Sequence, residues 1–313
     1  MRSVRRMAAI WVILALMAGC ITVKVSVFEE PGPLKEKVVS GSGPDKILLL
    51  DVSGMIMETA PRRGLGLPGL SLPARIKEEL EKAAKDKHIK AVVVRLNSPG
   101  GTVSASDVIY HEIMAFKKEH HLPVVACLMG LATSGGYYVA QAGDVILAQP
   151  ACITGSIGVL AMKFNFKGLM DKVGVESELV KSGRWKDFWS PFKPATPEEK
   201  RMMQAIIDDF YRSFVEVVVA GRNMTPDQVR RVADGRIFTA AQAKELKLVD
   251  DIGYLDDAIK LARTKAGLTE AKVVRYHRPG AYKPTIYSLA SLAEEWQDWL
   301  GPQFLYMWWP GEM

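Results

Sequence analysis

The sequence predicts an α/β fold whose core is mostly parallel strands in βαβ units, with helical extensions. Three short apolar runs carry that expectation: Ile47 to Val52, Ala91 to Leu96 and Pro123 to Met129. The last two each end in a glycine-rich turn, Asn97-Ser98-Pro99-Gly100-Gly101 and Gly130 to Gly136, and each turn opens into a helical stretch. Strand, glycine turn, helix, strand is the pattern of a parallel sheet covered by helices. Ligands in such sheets sit at the carboxyl ends of the strands, where both turns fall.

In chain order, Arg2, Arg5 and Arg6 precede the apolar run Met7 to Met17 and the small residues Ala18-Gly19, which reads as an export signal over residues 1–19. Met7 to Gly19 is about 13 residues, short for roughly 30 Å of hydrocarbon, which favours a cleaved signal over a spanning helix. Leu16-Met17-Ala18-Gly19-Cys20 resembles a lipobox with Cys20 as the lipidation site; an anchor continuing through Ile21-Thr22-Val23 is the alternative. Residues 20–45 read as a membrane-proximal anchor and linker, 46–270 as the catalytic domain and 271–313 as an aromatic-rich tail. Within the domain, Pro61 to Pro73 is loop-like, and Ile76, Leu80, Ala83 and Ala84 mark an amphipathic helix from Arg75. Helix is expected again over Ala105 to Phe116, and short strands at Asp144 to Ala148, Ile157 to Met162 and Glu178 to Val180. Thr196-Pro197 opens a long helix to about Ala220, and Thr225-Pro226-Asp227 opens a short one. In the tail, Trp296, Trp299, Trp308 and Trp309 suit packing on the protein or resting at a membrane interface.

A hydrophobic content of 48% over 313 residues is enough for a large core, which excludes global disorder. The net charge of +6 includes three arginines of the export signal, and no Lys/Arg stripe is interleaved with aromatics, so no nucleic-acid partner is expected. Cys127 and Cys152 lie in apolar surroundings as small hydrophobes, and His111-Glu112 has no second histidine four residues on; no metal site is expected.

A serine hydroxyl becomes a nucleophile only beside a base, so the chemistry is sought in a backbone-rich turn. Thr133-Ser134-Gly135-Gly136 fits: small neighbours admit a substrate backbone, and a helix starting there aims amides at a developing oxyanion. The same tetrapeptide equally suits a serine that merely caps a helix. None of the histidines, His88, His111, His120, His121 and His277, lies in a glycine turn at a strand end. A lysine base is the natural alternative, provided its amine is desolvated and neutral.

Five motifs in order then give a resemblance: Asn97-Ser98-Pro99-Gly100-Gly101, Ala132 to Tyr138, Thr154-Gly155-Ser156-Ile157-Gly158-Val159, Lys181 to Asp187, and Ala233 to Phe238 continuing to Leu248-Val249-Asp250. From about Lys46 to about Ala266 the chain resembles the signal peptide peptidase A family of serine-lysine peptidases, family S49. The resemblance implies a crotonase/Clp-protease-like core, Ser134 as nucleophile and Lys186 as general base. Lys181 competes for the second role but precedes Ser182-Gly183, whereas the family's base follows that pair. It further implies an oxyanion hole from the N–H groups of Gly101 and Ser134, and Ser156 as the residue orienting the lysine. Trp185, Phe188 and Trp189 would wall the amine from water. The implied assembly is a homo-oligomeric ring with serine and lysine from adjacent protomers, exported and membrane-anchored in the cell envelope. It would cut leftover signal peptides and other unfolded apolar segments without a cofactor. Two rival readings are an inactive scaffold of the same fold and a crotonase-like acyl-CoA enzyme, which would have no use for Lys186.

Overall fold

The computed structural model describes residues 32–59, 62–63, 67–68, 70–278 and 303–307, and in the last segment only the Tyr306 side chain. The expectations for residues 1–19, for Cys20 and for the four tail tryptophans lie outside the described residues. The chain divides into two units, Met1–Pro33 and Leu34–Met313.

The second unit runs β1 (Lys35–Ser40), β2 (Lys46–Ser53), the short pair β3 (Arg62–Arg63) and β4 (Leu67–Pro68), α1 (Leu72–Ala84), β5 (Ile89–Ser98), β6 (Gly100–Thr102) and α2 (Val103–His120). It continues with β7 (Val124–Thr133), α3 (Gly135–Ala140), β8 (Val145–Ala148), β9 (Ile153–Gly155), β10 (Leu160–Met162), α4 (Lys167–Val173), α5 (Pro197–Arg222) and α6 (Pro226–Arg230). The last elements are β11 (Ile237–Thr239), α7 (Ala240–Glu245), β12 (Asp251–Ile252), α8 (Leu255–Lys265), β13 (Lys272–His277) and β14 (Gln303–Met307).

The main sheet has the order β1-β13-β2-β5-β7-β8-β12, with β9 continuing from the far end of β7 and β11 beside it. All pairs from β13 to β12 are parallel, as is β7 with β9; β1 with β13 and β11 with β9 are antiparallel. Alternation along the central strands sends residues to two cores. Leu48, Leu50, Val92, Val94, Ala126 and Leu128 pack on the face covered by α1, α2 and α5. Ile47, Leu49, Val93, Val125 and Cys127 pack on the other against Leu255, Ala258 and Ala262 of α8. Burial on both faces is why these strands read as continuous apolar runs.

The expected α/β class, central strands and long helix are present; the strand expected over Ile157 to Met162 spans only Leu160–Met162, and three further expectations change. The sheet reaches past both expected domain boundaries, because β13 inserts between β1 and β2 with Val273, Val274 and Tyr276 buried. Glu178 to Val180 is not a strand; Val180 is fully exposed and no sheet edge lies in register with it. The segment from Pro73 belongs to a helix that starts at Leu72, capped by the Ser71 hydroxyl accepting from the Ala74 N–H.

Candidate active site

β7 changes partners midway. Its first half pairs with β5 and β8, its last three residues with β9, and the Asn97 side chain accepts the Leu131 N–H at 3.2 Å where the register slips. The strand ends at Ser134, whose φ of 51° and ψ of −116° lie outside the regions an L-residue readily adopts. Holding a non-glycine residue there costs on the order of 1–3 kcal/mol and needs enforcement by its surroundings. Enforcement comes from both sides: the Ser134 N–H donates to Gly155 O, and its carbonyl accepts the Tyr138 N–H, both at 2.8 Å. Thr133 Oγ1 donates to Pro99 O at 3.1 Å and Thr154 Oγ1 to Ala132 O at 2.6 Å.

Ser134 is 1% exposed and its Oγ has no hydrogen-bond partner among the described residues. Although it stands at the cap position of α3, its side chain accepts none of the helix amides. The simple capping role therefore falls away, and a buried, unpaired hydroxyl on a strained turn needs another explanation.

The first glycine turn lies against this one. A methyl group on Gly100, where φ is +104°, would fall 2.8 Å from Gly135 N, and one on Gly101 would fall 1.9 Å from Ile56 O. One on Gly135 would meet Ser106 Oγ at 2.4 Å. These contacts explain why the turns are built of glycine. The Ser134 N–H is given to Gly155 O, and the amide facing the Gly100 turn is that of Gly135.

Ser156 directly follows the Gly155 that holds Ser134, has φ 51° and is 7% exposed, with its N–H bonded to Arg236 O at 2.8 Å. It borders a groove of about 490 Å³ running along Val159, Asp208, Tyr211 and Asp234. Gly101, Ser134 and Ser156 thus meet at one end of the sheet.

Among the described residues, Lys186 makes no hydrogen bond to any of the three. It sits exposed in the arm between α4 and α5 and forms no ion pair among the described residues. Its competitor Lys181 is committed, since its Nζ contacts Asp187 at 2.6 Å and donates to Arg184 O at 3.1 Å. Lys193 bonds Asp187 and Glu199 and is thereby held protonated beyond the usual lysine range. The expected aromatic wall takes other cations: Lys163 lies over the Trp189 ring at 5.4 Å and Arg184 over Trp185 at 4.5 Å. Burial lowers the Lys163 pKa, and its amine donates to Lys193 O at 2.9 Å.

Sequence reasoning missed a further group. Tyr138 donates its hydroxyl to Asp107 at 2.7 Å and packs on Phe214 and Tyr306, giving an aromatic pocket beside the serine. The double tyrosine after Gly136 was its only trace in the sequence.

The family description Peptidase family S49 matches residues 116–269, and Clp protease matches residues 72–151. A putative signal peptide peptidase SppA of Enterococcus faecium is 36% identical over 242 residues, covering 77% of this chain and 70% of that protein. The chain belongs to peptidase family S49. A putative protease of Synechocystis is 44% identical over 192 residues, 61% of this chain and 69% of that one. The chloroplastic serine protease SPPA of Arabidopsis thaliana is 32% identical over 251 residues, 79% of this chain and 36% of that protein. The protein is accordingly a peptidase with a Clp-protease-like α/β core, which retires the acyl-CoA reading. Among the described residues, no helix is long and apolar enough to cross a membrane.

Proposed function

We propose that this S49 peptidase cuts leftover signal peptides and other unfolded apolar segments at the cell envelope, using Ser134 as nucleophile and Lys186 of a neighbouring copy as general base. The observation that carries the reading is Ser134 itself: buried, strained, unpaired at Oγ and seated against the Gly100-Gly101 turn. Ser134 Oγ attacks the carbonyl carbon as Lys186 takes its proton, and the resulting oxyanion is held by the N–H groups of Gly101 and Gly135. Collapse breaks the C–N bond, Lys186 returning the proton to the leaving amine. Water then attacks the acyl-enzyme as Lys186 takes its proton; collapse breaks the bond from the acyl carbon to Ser134 Oγ, releases the new carboxyl end, and returns that proton to Oγ. Ser156 orients the amine.

Assembly supplies what one chain lacks. α4 and the arm bearing Lys186 expose Leu169, Val173, Leu179 and Val180, the last fully, which is costly for an isolated monomer and ordinary for a surface covered by a second copy. A ring of copies would bury these side chains and desolvate the amine. A lipidated Cys20, or an uncleaved anchor continuing through Ile21-Thr22-Val23, would hold that ring at the membrane.

Complementation tests both halves. Ser134→Ala and Lys186→Ala proteins should each be inactive on an unfolded substrate and fold normally by circular dichroism. Mixing and reassembling them should restore part of the activity, because intact Ser134 and Lys186 then meet across some interfaces. Assembled but silent mixtures would reject the shared dyad. Labelling of the wild type by a fluorophosphonate, lost in Ser134→Ala, checks the nucleophile alone.

A further inference from the structure

Between α4 and α5, residues 174–196 form neither helix nor strand, and turns shape the part that bears Lys186. The N–H groups of Lys186, Phe188 and Ser190 donate to Gly183 O, Trp185 O and Asp187 O at 3.1, 3.0 and 3.2 Å. An exposed run of turns keeps one shape only if something tethers it. Asp187 provides the tether. Its side chain is 11% exposed, and its two oxygens are divided between Lys181 at 2.6 Å and Lys193 at 2.9 Å. Lys181 also donates to Arg184 O at 3.1 Å, so its amine joins residues on both sides of Lys186.

Lys193 carries the tether into the fold. It meets Glu199 at 2.8 Å, a carboxylate 1% exposed in the first turn of α5 that also accepts the Thr196 N–H at 2.9 Å. The Lys193 carbonyl accepts the amine of Lys163, the residue after β10, at 2.9 Å. The turn bearing Lys186 is thus pinned to the start of a helix and the end of a strand.

The same contacts direct charge. A free carboxylate beside a lysine favours the protonated amine, the wrong state for a base. Here Lys181 and Lys193 take both Asp187 oxygens and hold that carboxyl far below its usual pKa. Glu198 is paired with Arg184, and Glu199 with Lys193. Glu176 and Glu178 are solvated and nearer α4 in the chain. Of the arm's three lysines, Lys181, Lys186 and Lys193, Lys186 alone has no ion pair among the described residues.

We infer that Asp187 is a positioning residue for the general base: its carboxylate, shared by Lys181 and Lys193, fixes the turn that presents Lys186, and the sharing keeps that carboxylate from capturing the Lys186 amine. The inference rests on the proposed role of Lys186.

Cleavage of an unfolded substrate by the assembled full chain, followed against pH, tests it. Asp187→Asn keeps the side chain's shape and removes its charge; kcat should fall about 10- to 100-fold with KM little changed, because the base and not the substrate is displaced. Lys181→Met frees one Asp187 oxygen for Lys186, so the acid limb of kcat/KM should move about 0.5 to 1 unit to higher pH. Lys181→Met/Asp187→Asn should return that limb to its wild-type position. The position of a limb does not depend on the fraction folded, and a role confined to folding would lower activity at every pH alike. A limb that stays put in Lys181→Met, or moves equally with and without the Asp187 charge, overturns the inference, as does wild-type turnover by Asp187→Asn. Failure of the base assignment has a different signature, which is turnover retained by Lys186→Ala.

Discussion

The Gly155 carbonyl accepts the Ser134 N–H at 2.8 Å, so the strand that runs into Ser156 also holds the proposed nucleophile in its conformation. Gly155 has φ +87°, and a methyl there would strike Phe238 Cδ2 at 2.6 Å and Arg236 O at 3.1 Å. Gly235 shares that φ but has nothing within 4 Å, which makes it the control for strain alone. Gly235→Ala should cost about 1 kcal/mol and spare activity. Gly155→Ala should cost at least about 2 kcal/mol and silence the enzyme, as read by chemical denaturation and fluorophosphonate labelling. Equal effects of the two substitutions would show that Ser134 does not depend on Gly155.

Gly101 needs its missing side chain for a different reason. Its φ is ordinary, but a methyl would lie 1.9 Å from Ile56 O and 2.7 Å from Ile56 N, displacing the loop that carries the proposed oxyanion donor. Gly101→Ala is expected to slow labelling and turnover of the folded protein about 100-fold or more, and to lower the melting temperature as well, because the methyl meets the backbone of buried Ile56. A large fall in melting temperature with labelling of the folded fraction unchanged would contradict this.

How much of this was legible beforehand depended on how local the signal was. The central strands and long helix could be read because alternation, glycine turns and the Thr196 cap with Glu199 lie within a few residues of one another. Ser134 could be singled out for the same reason. β13 could not, since its place between β1 and β2 is fixed by pairing with residues more than 200 positions earlier, and β1 is mostly exposed with little apolar pattern. Glu178 to Val180 misled because a short apolar run resembles a strand whether or not a sheet edge awaits it. That the Ser134 N–H is given to Gly155 O goes with the positive φ of Ser134, which composition does not encode.

The Tyr306 carbonyl lies over the Gly100 and Gly135 turns, against the proposed nucleophile Ser134. Tyr306→Ala removes the ring stacked on Tyr138 and the bond to Phe210 O, so β14 should be displaced more readily. Hydrolysis of a short tyrosine-containing peptide should accelerate several-fold, mainly through KM, with kcat little changed at saturation. No change in KM would mean that β14 does not compete with substrate in solution.

The exposed arm gives a test of assembly independent of chemistry. Val180 is fully exposed and Leu179 is 61% exposed, so a charge there costs a lone chain nothing. Val180→Asp should leave the circular dichroism spectrum unchanged, shift the sedimentation coefficient toward that of a monomer, and lower activity in proportion. Retention of an intact oligomer would remove this arm from the interface.

Stability toward acid should run through Asp250. Arg222 at the end of α5 donates to both of its oxygens, at 2.9 and 2.7 Å, and the Ile146 N–H to one at 2.7 Å, tying the helix to β8. Burial pushes the Asp250 carboxyl up, but the Arg222 and Ile146 hydrogen bonds outweigh it and hold the pKa below the usual carboxylate value. A depressed folded-state pKa stabilises the protein at every pH above the unfolded value of about 3.9 and loses that contribution as pH falls through the folded value. Asp250→Asn also strands the largely buried Arg222 guanidinium. Because Asp250 keeps partial access to water, the cost is about 1–3 kcal/mol rather than that of a fully buried pair. In urea titrations the gap between wild type and Asp250→Asn should be constant from pH 5 to 8 and narrow below about pH 4. A gap undiminished at pH 3 would mean that the carboxylate charge is not what Arg222 holds.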